Sequence, residues 1–152
     1  MTPHTFTASD GLELAYYIDD NTDPWANAPI LLMLHAAMGN AERFYAWVPM
    51  LSRHYKVVRL DLRGHGNSAT PPPDSTFDMG RLVKDTLELM DLLGCRIAHV
   101  VGNSAGGYVV AGNEVGPGVW GSTFVLRLTA AGALDFIAAR LGNSQDYWHR
   151  IS

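Results

Sequence analysis

Val101-Gly102-Asn103-Ser104-Ala105-Gly106-Gly107 follows a β-branched run, residues 97–101, and opens into a stretch able to begin a helix. A serine held between strand and helix must turn sharply at strained backbone angles, and only small residues two positions to either side avoid a clash. Gly102 and Gly106 fill those positions. A helix starting behind the serine supplies free N–H groups and a positive dipole end, which favour an oxygen gaining negative charge as an ester or lactone carbonyl is attacked. Ala105 N–H is one such donor. Glycine-rich turns with an ordinary serine also match this pentapeptide, so its surroundings carry the reading.

Upstream, the chain alternates between strand and helix signals. Residues 30–34, Ile-Leu-Leu-Met-Leu, run apolar without alternation, as expected for a central strand covered on both faces, and His35 ends the run. Asn40 is a candidate cap, and Phe44, Trp47, Val48 and Leu51 recur at helical spacing, which predicts a helix over 41–51 bent by Pro49. Residues 57–60 read as the next strand, ending at Asp61. The loop over 63–73 holds two glycines and three consecutive prolines and cannot be regular. Ser75 and Asp78 form a Ser-x-x-Asp capping pair. Met79, Leu82, Val83, Leu87, Met90 and Leu93 then mark one face of a helix that Gly94 would stop. Nearer the start, Asp10-Gly11 lies between two apolar-rich runs, 6–8 and 12–18, and predicts a hairpin.

This order implies an α/β fold with a mostly parallel sheet and flanking helices, in which ligands bind beyond the carboxyl ends of the strands. His35, Asp61 and Ser104 all fall at such ends.

Three motifs in this order resemble the α/β-hydrolase superfamily, in particular its lactonase, esterase and haloperoxidase-like branch. Leu34-His35-Ala36-Ala37-Met38-Gly39 is similar to the oxyanion turn after the third strand. Asp61-x-Arg63-Gly64-His65-Gly66-x-Ser68 resembles the loop after the fourth, and Gly102-x-Ser104-x-Gly106 the nucleophile elbow after the fifth. The resemblance covers about 6–110. It implies that Ser104 is the nucleophile, that the backbone N–H groups of Ala37 and Ala105 form the oxyanion hole, and that His35, Asp61, Arg63 and His65 support the loops. The family usually has glycine where this chain has Ala36, so a conformational cost is expected there. His4, His54 and His99 have no partner at telling spacing and read as surface or framework histidines.

Serine catalysis requires a histidine to take its proton and usually a carboxylate to orient that histidine. In the family both follow the serine, acid first. Here the chain beyond the elbow runs only from 105 to 152, and its acids are Glu114, Asp135 and Asp146, with His149 as its one histidine. Asp135 and His149 satisfy the order but not the usual spacing, so acid and base are not identified. The tail over 111–152 diverges: Gly112, Gly116, Pro117 and Gly118 weaken any continuing helix, while 123–128 read as a sixth strand and 134–141, stopped by Gly142, as a short helix. Those two elements would cover an otherwise exposed strand edge. A single α/β-hydrolase domain with a shortened C-terminal part is expected, as a frameshift, an unspliced segment or a gene break after about residue 110 would produce.

Composition narrows the partners. The net charge of −4, with no basic cluster interleaved with aromatics, argues against nucleic acid and leaves a small ester or lactone as the expected partner. One cysteine, Cys95, excludes an intramolecular disulfide, and no run is long and apolar enough to cross a bilayer, so a soluble cytoplasmic protein is expected. No metal spacing such as His-x-x-x-His occurs, and no cofactor is expected. A nucleotide-binding reading fails because 102–107 lack the Gly-x-Gly-x-x-Gly order and no phosphate-binding lysine follows. Two readings remain: a serine hydrolase working through an acyl-enzyme, and a non-catalytic fragment or pseudoenzyme that at most binds a small molecule or a partner chain.

Overall fold

The computed structural model describes residues 2–75 and 78–111, with the backbone of 123–129 and 134–136. The opening hairpin pairs β1 (His4–Thr7) with β2 (Glu13–Asp19) around Asp10-Gly11. Three parallel strands follow, β3 (Ile30–Leu34), β4 (Lys56–Leu60) and β5 (Ile97–Asn103). The strand order is β1-β2-β4-β3-β5-β6-β7, where β6 is Thr123–Thr129 and β7 is Leu134–Phe136. The sheet is therefore mixed: its centre is parallel, while β2 joins β4, and β6 joins β5, antiparallel.

Strand alternation divides the core into two layers. Leu32 and Leu34 point to one face, where Val58, Leu60 and Val100 meet Leu82, Leu89 and Met90 of α2 (Met79–Leu92). Leu31 and Met33 point to the other, where Val57 and Val101 meet Phe44 and the partly buried Val48 and Leu51. Both faces being covered accounts for the unbroken apolar run of β3.

Three expectations are corrected. The helix over 41–51 is two pieces, a 3₁₀ turn (Ala41–Phe44) and α1 (Val48–Leu51). Pro49 sits in the first turn of α1, where its missing N–H costs nothing, and so helps start a helix instead of bending one. The cap of α2 is Asp78, whose carboxylate accepts from Gly80 N at 2.9 Å, while Ser75 Oγ donates to Pro72 O. Residues 134–136 form a strand, not the start of a helix; β7 pairs with β6, and the remainder of that expected helix lies outside the described residues. β6 spans the whole of β5 and covers its edge, as the sixth strand was expected to do.

Helix α2 ends as its glycine requires. Gly94 has φ +62°, Gly94 N–H donates to Asp91 O at 3.0 Å, and Cys95 N–H reaches back to Met90 O at 2.9 Å. This double closure satisfies the last carbonyls through a left-handed residue. A Cβ at Gly94 would meet nothing within 4 Å, so only the backbone conformation opposes a side chain there. Gly94→Ala is expected to lower unfolding free energy by about 1 kcal/mol in urea titrations; an unchanged midpoint would contradict this account of the helix end.

Candidate active site

Ser104 stands between β5 and α3 (Ala105–Ala111) with φ +50°. Among the described non-glycine residues only Met38 shares a positive φ. The left-handed region costs an L-residue roughly 1–2 kcal/mol, so surrounding contacts must impose it. Those contacts are close backbone approaches. A Cβ on Gly102 would fall within the carbonyl group of Gly106, and one on Gly106 would overlap the carbonyl group of Leu34. Gly106 N–H also donates to His35 O at 3.1 Å, docking the first turn of α3 onto the end of β3. The two glycines flanking Ser104 are steric requirements of this junction.

The turn after β3 lies beside it. Gly39 N–H donates to Ala36 O at 3.0 Å, making Ala37 and Met38 the central residues of a tight turn. The positive φ falls at Met38, +62°, and not at Ala36, so the expected penalty for alanine at 36 does not arise. Ala37 is exposed, and its N–H donates to no acceptor among the described residues.

Two imidazoles tie this turn to the loop after β4. His35 is fully buried; its Nε2 accepts Leu62 N–H at 2.9 Å, so Nδ1 carries the proton and donates to Ala36 O at 2.7 Å. His65 repeats the arrangement, Nε2 accepting Met38 N–H at 3.2 Å and Nδ1–H donating to Arg63 O at 3.0 Å. The rings lie 5.3 Å apart. Burial pushes the pKa of His35 below the ordinary histidine value, since a charged ring would lose its hydration there. With every ring nitrogen engaged by backbone, both histidines are built to orient loops.

Asp61 and Arg63 also hold loops. Asp61, 1% exposed, accepts from Ala41 N at 2.6 Å and Asn67 N at 2.9 Å. Arg63 makes a bidentate pair with Asp85 of α2, both bonds 2.7 Å, and reaches Asp10 of the hairpin turn at 2.9 Å. Sequence reasoning missed the partners. Asp85 lies among Leu82 and Leu89 on the buried face of α2, a position where a carboxylate demands a cation. Arg59 pairs with Asp19 at 2.7 Å and donates to Ala41 O at 3.0 Å, so Ala41 is gripped at both its N–H and its carbonyl.

Among the described residues no histidine is directed at Ser104. Asp135 lies in β7, its side chain outside the description, and His149, Glu114 and Asp146 lie outside the described residues altogether. A cleft of about 150 Å³ opens next to the junction, walled by His35, Ala36, Arg43, Phe44, Trp47 and Asn103. It adjoins Ser104 through Asn103 without including it. Neither a three-ligand metal cluster nor a helix long and apolar enough to cross a membrane occurs among the described residues.

Comparison with known proteins agrees with this geometry. The family described as alpha/beta hydrolase fold matches residues 29–111, more than half of the chain, and the chain belongs to that family. A fluoroacetate dehalogenase from Burkholderia sp. is 36% identical over 84 residues, covering 53% of this chain and 28% of that protein. A hydrolase from Pseudomonas aeruginosa superposes with a TM-score of 0.65 at 38% identity, over 71% of this chain and 38% of the other. The enol-lactonase from Burkholderia xenovorans does so with a TM-score of 0.64 at 33% identity, over 71% and 40%. The chain thus spans well under half the length of these relatives.

The buried imidazole carries a pH consequence. Because the pKa of His35 is lower when folded, the unfolded chain takes up its proton first as pH falls, and stability declines below pH ~6.5 toward the folded-state value. Above pH ~6.5 neither state is charged and the effect vanishes. Asp10, held below its ordinary range by Arg63, acts in a separate, more acidic window. Urea unfolding is expected to show lower stability at pH 5.5 than at 7.5. His35→Gln should reduce that difference while costing about 2 kcal/mol at neutral pH; a variant retaining the full difference would show that another group is responsible.

Proposed function

We propose that the chain carries the nucleophile half of a serine hydrolase acting on a small ester or lactone through an acyl-enzyme. The observation that carries the reading is the left-handed Ser104, set by Gly102 and Gly106 at the rim of the sheet. Ser104 Oγ would attack the carbonyl carbon, and the N–H groups of Ala37 and Ala105 would receive the developing oxyanion. The base that takes the Ser104 proton returns it to the leaving oxygen as the C–O bond breaks, releasing the alcohol of an ester or leaving the hydroxyl of an opened lactone tethered. The ester left on Ser104 is then hydrolysed by water to the acid and the free serine. One such donor contributes a factor of roughly 10²–10³ in rate.

A hydroxyl at the elbow also argues for carbonyl substrates over alkyl halides. A carboxylate nucleophile that displaces a halide forms an ester that water can open, whereas serine would form an ether that persists. Likeness to a dehalogenase therefore supports the fold and not its substrate. His35 and His65 are committed to backbone groups, so neither is free to serve as the base. Asp135 and His149 are this sequence's own candidates for acid and base. A small diffusing substrate, and a cytoplasmic location suited to a lone cysteine, complete the proposal.

The commitment of His35 and His65, the two histidines beside the turn, favours a second reading, in which this polypeptide is a non-catalytic member of the family. A fluorophosphonate probe separates the readings. An active serine hydrolase is expected to gain one covalent adduct on Ser104, located by peptide mass spectrometry, and to lose it in Ser104→Ala. A folded chain without adduct formation would leave the non-catalytic reading.

A further inference from the structure

We infer that His65 is a positioning residue for the turn carrying Ala37, acting through the Met38 peptide; this rests on the serine-hydrolase reading. The turn over 36–39 closes with Gly39 N–H on Ala36 O at 3.0 Å, and of its central residues only Met38 has a positive φ, +62°. That combination is the type II form, which differs from type I by a flip of the central peptide and favours glycine at the third position. Methionine there bears a cost, and an alternative turn with negative φ at Met38 would avoid it. The acceptor that opposes the flip is His65 Nε2, 3.2 Å from the Met38 N–H in that central peptide.

The ring is itself fixed, by Nδ1–H on Arg63 O at 3.0 Å and by packing 5.3 Å from the His35 ring. Ala37 is thus bracketed. Before it, His35 O is held by Gly106 N–H at 3.1 Å; after it, Met38 N–H is held by His65. A flip would reverse the peptide dipole bonded to the Ala37 Cα, and with it the field beside the Ala37 N–H. Met38 is 97% exposed, so its side chain makes no packing contact that could hold the turn in its place.

The test uses fluorophosphonate inactivation of the whole chain, resolving the maximal rate from probe affinity, with hydrogen exchange at Met38 N–H as a second readout. His65→Phe keeps an aromatic ring but removes the acceptor. It is expected to slow maximal inactivation by about ten- to a hundredfold, less than loss of a whole oxyanion donor, with probe affinity within about threefold. Exchange at Met38 N–H should quicken by about tenfold or more. His65→Gln, which restores an acceptor, should recover the rate. So should Met38→Gly in the His65→Phe background, because glycine takes the positive φ without cost. Unchanged inactivation in His65→Phe overturns the inference while leaving the hydrolase reading intact. A slowed rate that neither second variant recovers also overturns it. Failure of the unmodified chain to label removes the hydrolase reading and, with it, any part for His65 in catalysis.

Discussion

The hydrogen bond from Gly106 N–H to the His35 carbonyl, 3.1 Å long, is the joint on which the site depends. It can form only because neither Gly102 nor Gly106 has a Cβ: one would collide with the Gly106 carbonyl group, the other with that of Leu34. The chain therefore leaves β5 and enters α3 within a single residue, and that residue, Ser104, absorbs the turn in a left-handed conformation. A serine so placed stands clear of the helix it precedes. The first N–H groups of α3 lie behind it, and the turn that carries the Ala37 N–H, unpaired among the described residues, follows directly on the carbonyl that Gly106 holds.

The rest of the described fold keeps that joint rigid. Leu34 lies opposite Gly102 in the parallel register, so the ends of β3 and β5 are level. Around the β3 turn, the groups that hold the loops are polar and largely buried. Asp61 and Arg59 clamp Ala41 from both sides, His35 and His65 receive amides from two loops, and Arg63 joins the β4 loop to α2 and to the opening hairpin. Removing one partner of such a buried pair leaves an uncompensated charge or an unsatisfied amide, costing a few kcal/mol. These side chains thus commit the loops to one geometry, and catalysis of the proposed kind needs a site already in place before charge develops.

Much of this was legible in the chain because it is local. Asp10-Gly11, the unbroken run of β3 and the two glycines around Ser104 each announce their geometry through neighbouring residues. Pro49 and Ser75 misled because a proline is equally at home bending a helix or opening one, and a Ser-x-x-Asp pair does not say which member is the cap. The long-range partners were hidden for a different reason. Asp19 with Arg59, and Asp85 with Arg63, pair across 40 and 22 residues, a distance that no spacing rule encodes. Asp85 alone left a trace, as a carboxylate within an apolar stripe. His65 was read as loop support from its motif, but that its Nε2 meets the Met38 amide follows only from how the two loops pack.

The sign of one stability change tests the elbow most directly. Replacing Ser104 by Gly and by Ala, and comparing their unfolding free energies in urea, isolates the backbone conformation from loss of the hydroxyl. With Ser104 at φ +50°, glycine should be the more stable of the two by about 1 kcal/mol, since it occupies that region without strain. If alanine proves more stable by a similar margin, residue 104 lies in ordinary helix or strand, and the serine is not presented as this account requires.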